Sequence, residues 1–366
     1  MPDPRIQKLA EVLVHYSLEI KPGQQFVLRT NPIAEELALA VYQEAVRAGA
    51  HVFPLIALPG TEEIFFRNAA NEQLDFISPI RKLIVETMDA QLVIGAEYNT
   101  RSLTGIEPSR LARVHKASAP LTKTYMERSA RNEFRWCYTE FPTQASAQEA
   151  DMSLLDYQEF VYHAGLLTEP DPVRSWKEEG KRQHRLIEWL SGRDKVQLKG
   201  EHIDLQLSIQ GRIFKEADGK YNFPDGEIFT GPVEDSTNGW VRFSYPAIYS
   251  GHEVIDVELW FENGKVVKEK ASKGQELLTS LLDSDRGARF LGEWGLGTNY
   301  GITRFTKNML FDEKIGGTIH LALGASYPET GGKNESGLHW DMLCDMTKSE
   351  ITIDGECFYK DGHPVV

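Results

Sequence analysis

Residues 25–56 read QFVLRTNPIAEELALAVYQEAVRAGAHVFPLI, and this run is the clearest architectural signature in the N-terminal half. Gln25–Thr30 is continuously apolar at its centre, which is typical of a strand buried in a parallel sheet. Asn31 is placed to cap a helix that begins at Pro32. His51–Ile56 predicts the next strand. Together these segments predict a β-α-β unit within an α/β fold.

The segments around this unit extend the same pattern. Ala90–Ala96 predicts a further strand of the sheet, and residues 4–17 carry the apolar spacing of an amphipathic helix. Mixed charge and helical spacing then continue through residues 107–190. The predicted helical stretches there are Pro108–Ser118, Leu121–Arg131, Leu154–Ala164 and Pro172–Leu190.

After residue 192 the apolar period changes from helical to two. Ile203–Ile209 alternates apolar and polar residues, and Asn263-Gly264 between two apolar runs predicts a hairpin. Further strands are predicted at Thr318–Leu323, Leu338–Cys344 and Ile351–Tyr359. The sequence therefore predicts an α/β domain with a parallel sheet and helices over residues 1–192, followed by a β-rich (α+β) domain over residues 193–366.

Composition excludes several classes of function. The chain has 366 residues with 40 basic and 54 acidic side chains, a formal charge of −14. This balance argues against binding to nucleic acid or to an anionic membrane, since both require clustered Lys and Arg. No apolar run is long enough to span a bilayer, and the first residues do not predict a secretory signal. Three cysteines without a C-x-x-C pair predict reduced thiols in a cytoplasmic protein.

The groups able to do chemistry are concentrated in the C-terminal half. Gly295, Gly297 and Gly301 do not match a dinucleotide fingerprint, and we interpret them as turn glycines. What remains is a set of acidic and histidine side chains: Glu227, Glu293, Glu313, His320, His339 and Asp341.

This set has the composition of a metal site. His339 and Asp341 are two apart on a predicted strand, so they project from the same face. Imidazole suits zinc and cobalt, while carboxylates can bridge two ions. Six such groups exceed what one catalytic zinc requires and fit two ions that share a bridging carboxylate.

Each of these groups also has a simpler interpretation. An H-x-D pair on a strand is more often hydrogen bonded at the surface than bound to metal, and His320 in an apolar strand is typical of a core histidine. Glu227 and Glu293 taken singly fit ordinary surface acids. Spacing alone leaves both interpretations open.

The longer strings around these residues resemble a known family, the thermophilic-type dinuclear metallo-aminopeptidases that include aminopeptidases T, S and II. Several ordered motifs carry the resemblance, and so does the interval between Glu227 and Glu293. These motifs are Glu227–Pro232, Leu291–Glu293, Leu310–Glu313, His320–Gly324 and Tyr327-Pro328.

The resemblance implies a metal-dependent aminopeptidase that uses a water activated by two divalent ions of zinc, cobalt or manganese. It implies peptide substrates with a free N-terminus, a homodimer, and a metal site in the C-terminal domain. The implied ligands are Glu227, Glu293, Glu313, His320, His339 and Asp341. Tyr327 is the implied catalytic hydroxyl donor, and Glu313 is implied either as a ligand or as the general base.

Two departures from the family pattern bear on the site. The segment between Glu313 and His320 is longer and contains Gly316-Gly317, and the loop from Tyr327 to His339 is shorter. Two other functions stay open at this point. One is a two-metal hydrolase of another amide substrate, and the other is a catalytically inactive peptide-binding homologue.

Overall fold

The computed structural model describes residues 3–249 and 251–366. A π-helical turn at Leu13–Ser17 continues the first helix, and short 3-10 turns lie at Pro32–Ala34 and Pro328–Thr330. The α-helices are α1 (Pro4–Val12), α2 (Glu35–Arg47), α3 (Thr61–Asn68), α4 (Asn71–Leu74), α5 (Pro79–Thr87), α6 (Pro108–Ala130), α7 (Gln144–Glu149), α8 (Leu154–Ala164), α9 (Pro172–Leu190), α10 (Gln275–Leu282) and α11 (Met309–Asp312).

The strands fall mostly after residue 190. In chain order they are β1 (Gln25–Thr30), β2 (His51–Ile56), β3 (Ala90–Gly95), β4 (Arg135–Glu140), β5 (Lys195–Gly200), β6 (Ile203–Ser208), β7 (Lys215–Ala217), β8 (Asn222–Phe223), β9 (Glu227–Thr230), β10 (Asn238–Arg242), β11 (Ala247–Tyr249), β12 (His252–Val254), β13 (Glu258–Glu262), β14 (Lys265–Lys270), β15 (Leu291–Gly297), β16 (Thr318–Gly324), β17 (His339–Asp345), β18 (Ser349–Ile353), β19 (Glu356–Lys360) and β20 (His363–Pro364).

The chain forms two compact units. The first comprises Met1–Val173 together with Gly219–Pro224, and the second comprises Arg174–Asp218 together with Asp225–Val366. The predicted domain division between residues 192 and 193 stays a prediction.

The first unit contains the parallel sheet that the sequence predicts. Its strand order is β2-β1-β3-β4-β8, and every pairing is parallel. The β-α-β unit over residues 25–56 is confirmed, with Asn31 accepting a hydrogen bond from the Ile33 backbone at the start of its helical segment. The apolar centre of β1 is fully buried, because helices cover a parallel sheet on both faces.

One prediction in the first unit is wrong, and one strand was not predicted. Residues 107–190 are mainly helical, as the sequence predicts, but strand β4 also lies among them. Its buried Thr139 donates a hydrogen bond to the Phe223 carbonyl at 2.7 Å, a compensation that sequence alone does not show. Helix α6 also runs through Pro120, where two separate stretches are predicted. Pro120 has no N–H to donate to the carbonyl of Lys116, and Lys116 lies on the exposed side of the helix.

The second unit is built on antiparallel sheets. An eight-stranded sheet has the order β14-β13-β10-β6-β5-β18-β19-β20, and a five-stranded sheet has the order β17-β16-β15-β9-β7. Alternate residues of the five-stranded sheet, such as Trp294, Leu321 and Trp340, join one buried apolar cluster with Leu198 and Leu205 of the larger sheet. The opposite face of β15, β16 and β17 is therefore available for other chemistry.

Several details of the second unit differ from the sequence predictions. Gly295 and Gly297 lie within β15, so their interpretation as turn glycines is wrong. Ile351–Tyr359 is not one strand but the hairpin β18–β19, because Asp354 and Gly355 both adopt positive φ between them. The predicted hairpin at Asn263-Gly264 is confirmed between β13 and β14. Among the described helices, none is long and apolar enough to cross a membrane.

Candidate metal centre

Four neighbouring strands carry the candidate ligands on one face of the five-stranded sheet. Glu227 begins β9, Glu293 lies on β15, His320 lies on β16, and His339 and Asp341 lie on β17. Residues two apart on a strand share a face, so the pleat sends all of these side chains away from the apolar core. The five-stranded sheet thus brings together residues that are far apart in sequence.

Small residues on the same face make room between these side chains. Glu293 is in register with Ala322, and Ala322 with Asp341. Gly295 is in register with His320, and a Cβ built on Gly295 would lie 2.0 Å from His320 Nε2. The imidazole of His320 therefore lies against the backbone of Gly295 on β15, in space that any side chain at residue 295 would fill.

Glu293 lies at the centre of the cluster. Its Oε1 is 3.3 Å from His320 Nε2, and its Oε2 is 3.3 Å from His339 Nε2. His320 Nε2 is also 3.1 Å from Glu227 Oε2, and His339 Nε2 is 3.5 Å from Asp341 Oδ2. One carboxylate thus divides its oxygens between two imidazoles, and each imidazole has a second carboxylate partner.

The ligand atoms form two overlapping groups in the described part of the chain. Glu227, Glu293 and His320 form one, and Glu293, His339 and Asp341 form the other; within each, the ligand atoms lie within 4.8 Å of one another. Carboxylate and imidazole donors at this spacing suit a divalent ion such as zinc.

The orientations of His339 and Glu227 also fit a metal site. The Nδ1–H of His339 donates to the Ala325 carbonyl at 2.9 Å, which turns Nε2 toward the carboxylates, as second-sphere partners of metal-bound histidines do. Glu227 Oε2 is buried, and its only contact, with His320 Nε2 at 3.1 Å, lacks the geometry of a hydrogen bond among the described residues. A bound cation would satisfy this oxygen.

The electrostatics favour positive charge at both imidazoles. Burial alone would lower the pKa of His339, but Asp341 and Glu293 outweigh it and raise this pKa to about 10. Glu227 and Glu293 likewise raise the pKa of buried His320 above its ordinary value. Burial would raise the pKa of Glu293, but hydrogen bonds from both imidazoles hold it at about 2. A divalent ion would bind these nitrogens in place of the protons and would supply the positive charge that the carboxylates favour.

Glu313 lies outside both groups. Its Oε1 pairs with the ammonium of Lys314, and Lys314 Nζ is also 3.6 Å from Glu227 Oε1. Burial is the main cause that raises the pKa of Glu313, to about 8; Lys314 opposes the rise, while Glu227 and Asp341 add to it. A carboxyl group with this pKa can take up and release a proton near neutral pH.

Tyr327 lies at the rim of the cluster, just before the 3-10 turn Pro328–Thr330. Its ring centroid is 5.2 Å from that of His339 and 5.5 Å from that of Phe229. Burial, followed by the charges of Glu293 and Asp341, raises the pKa of Tyr327, so its phenol stays protonated and available as a donor.

Two further residues shape the centre and were missed from sequence. Gly295 could not be recognised, because its role depends on the register between β15 and β16. Lys314 carried a signal, since it directly follows Glu313, but its burial could not be read from the string Asp312-Glu313-Lys314. Which of the six predicted side chains bind metal stays a prediction.

Residues 2–364 match the family described as thermophilic metalloprotease (M29). This chain belongs to that family. The predicted family is thereby confirmed, and with it a metal-dependent hydrolase of peptides. The N-terminal half, which contains none of the motifs that carry the resemblance, lies inside the match.

Relatives in this family cover nearly the whole chain. The chain is 28% identical to aminopeptidase 2 of Geobacillus stearothermophilus, over 98% of its own length and 94% of the relative's. It is 27% identical to aminopeptidase T of Thermus thermophilus, over 98% of its own length and 95% of the relative's. The alignments therefore include both compact units.

Solved structures share the fold. AmpT from Thermus thermophilus superposes with a TM-score of 0.86 at 24% identity, covering 99% of each chain. A 2,5-dihydroxypyridine dioxygenase from Pseudomonas putida KT2440 superposes with a TM-score of 0.57 at 13% identity, covering 99% of this chain and 97% of its own. The same architecture thus occurs in an enzyme named for different chemistry, so function has to be argued from the site.

Proposed function

We propose that this chain is an aminopeptidase that binds two divalent ions of zinc, cobalt or manganese. Glu227, Glu293 and His320 would hold one ion, and Glu293, His339 and Asp341 the other. The observation that carries this proposal is the position of the Glu293 carboxylate. Its Oε1 lies 3.3 Å from Nε2 of His320, and its Oε2 lies 3.3 Å from Nε2 of His339. A carboxylate with both oxygens so engaged is suited to bridge two ions.

The side chains around the centre have separate roles in peptide hydrolysis. Bound divalent ions supply Lewis acidity toward a carbonyl group and toward water. Glu313 is the general base, because its carboxyl group lies outside both ligand groups. Tyr327 donates its phenolic hydrogen to the oxyanion that develops on the substrate carbonyl. The carboxylates favour a substrate with an amine at its end over one with a blocked N-terminus.

The first experiment is metal analysis and hydrolysis of a leucyl chromogenic amide on one purified sample. We expect about two ions per chain, loss of hydrolysis on chelation, and recovery with zinc, cobalt or manganese. The N-acetylated amide is the matched control and should not be cleaved. Equal cleavage of both amides would favour a hydrolase of another amide substrate. Bound metal without hydrolysis of any peptide would favour the peptide-binding homologue.

We also propose that the protein is a homodimer in the cytoplasm. The first unit exposes apolar side chains, including Phe53 and Ile56 on edge strand β2 together with Leu58 and Ile64. Exposed apolar groups of this kind favour self-association. Sedimentation should give a dimer for the natural chain and a monomer for Leu58→Asp combined with Ile64→Asp. An active natural monomer would contradict this assignment.

A further inference from the structure

Lys314 is a lysine with no exposed side-chain surface, and it lies beside the candidate metal centre. Its Nζ contacts Oε1 of Glu313, lies 3.6 Å from Oε1 of Glu227, and lies 4.0 Å from Oδ1 of Asp225. A buried ammonium is strongly disfavoured unless carboxylates compensate its charge. These carboxylates do so, and Lys314 remains a cation.

The backbone holds this ammonium at a fixed point. The Lys314 N–H donates to the Phe311 carbonyl at 3.1 Å, and the Lys314 carbonyl accepts from the Asn299 N–H at 3.0 Å. A Cβ on Gly297 would approach the Lys314 carbonyl carbon to 2.9 Å, so β15 packs directly on this peptide. Lys314 is therefore anchored to the strand that carries Glu293.

Glu227 lies between Lys314 and the centre. Its Oε1 faces the ammonium at 3.6 Å, and its Oε2 faces His320 Nε2 at 3.1 Å. Glu313 is engaged in the same way, since its Oε1 contacts Lys314. The ammonium thus faces one oxygen of Glu313 and one oxygen of Glu227. In Glu227 this is the oxygen that does not face His320.

We propose that Lys314 is a positioning residue that keeps Glu313 out of the metal coordination shell and limits Glu227 to one ligand oxygen. This inference rests on the proposed function. Without the ammonium, both carboxylates gain a free oxygen and the site gains one negative charge. Metal ions should then bind more tightly, while Glu313 is drawn toward an ion and no longer serves as the base. A residue important only for packing would instead lower metal affinity and turnover together.

The test measures zinc affinity and leucyl-amide kinetics for the full chain and its variants. Zinc affinity is obtained by competition with a chromogenic chelator, and circular dichroism confirms folding. Lys314→Met should bind zinc about 10-fold more tightly or better, because a positive charge beside the ion is removed. Its kcat should fall about 10- to 100-fold, while KM changes little. Lys314→Arg keeps the charge and should keep the natural zinc affinity. Lys348→Met removes an exposed lysine and serves as the matched control.

Weaker zinc binding by Lys314→Met, or unchanged affinity and kcat, would overturn the proposal. If Lys314→Met fails to fold, Glu313→Gln is compared with Glu313→Gln combined with Lys314→Met. The combined variant should bind zinc more tightly than Glu313→Gln alone, because Glu227 is released; equal or weaker binding overturns the proposal. A natural chain that hydrolyses the amide with zinc while Lys314→Met behaves normally refutes only this inference. A natural chain that binds no zinc and cleaves nothing refutes the proposed function as well.

Discussion

Substitution of Gly295 by alanine should remove one metal ion and leave the other. The new Cβ would lie 2.0 Å from Nε2 and 2.1 Å from Cε1 of His320. Backbone pairing between β15 and β16 fixes both residues, and His320 is buried to 1% exposure. The imidazole, rather than the strand, therefore has to move.

The size of the effect follows from these distances. Ordinary contact begins near 3.4 Å, so the ring has to retreat by about 1.4 Å. Nε2 then leaves Glu227 and Glu293, which lie 3.1 and 3.3 Å away before the change. Ligand distances in metal sites tolerate only about 0.2 Å, so the ion shared by Glu227, Glu293 and His320 is lost. Overpacking in a buried site costs about 1–3 kcal/mol of the free energy of unfolding.

Metal analysis and thermal unfolding check this prediction together. We expect one ion per chain in place of two, and a melting temperature lower by about 2–4 °C for each kcal/mol lost. Gly337→Ala is the control, because a Cβ there meets only Asp285 Oδ2, at 3.5 Å. A Gly295→Ala protein that keeps two ions would show that His320 is not a ligand at this position.

Other predictions concern the same centre. Tyr327→Phe should lower kcat by about 100- to 1000-fold while metal content stays unchanged, because one donor to the oxyanion is lost; steady-state kinetics beside metal analysis check this, and full turnover would exclude the role. Glu293→Gln should lose both ions and Asp341→Asn only one, since Glu293 belongs to both groups; equal losses on elemental analysis would contradict the bridging assignment. In the chelated protein, the pKa of His339 is raised from 6.5 to about 10, so the stability it contributes is complete below pH 6.5 and is lost as pH rises through about 10. The melting temperature of the chelated protein should therefore fall over this range, and less steeply in His339→Gln; identical slopes would refute the assignment.

The sequence predicted those parts of the fold that depend on local pattern. The continuously apolar centre of β1 reflects burial on both faces of its sheet. The alternation in β6 reflects burial on one face. The polar residues of β4 and the proline inside α6 misled the prediction, because hydrogen bonding and exposure compensate them in three dimensions. The β4 residue Thr139 has a partner that is distant along the chain, and the proline lies in a helix that is exposed near Lys116.

The site was predictable in its chemistry but not in its arrangement. A resemblance in ordered motifs named the residues that the sheet brings together, since Glu227, Glu293, His320, His339 and Asp341 all lie on adjacent strands. It could not separate Glu313 from the others, because that separation depends on a lysine ammonium inside the protein. It could not recognise Gly295 either, because strand register alone places that glycine under an imidazole.

Strand β15 has pairing partners on both sides, β9 and β16, and all seven of its residues are buried. Amide hydrogens in such a strand exchange with solvent only when the surrounding unit opens as a whole. The carboxylate at the centre of the cluster is thus carried by one of the slowest-exchanging segments of the chain. Ions therefore reach the cluster from the side of His339, whose side chain is 28% exposed, and not through the strand that lies beneath it.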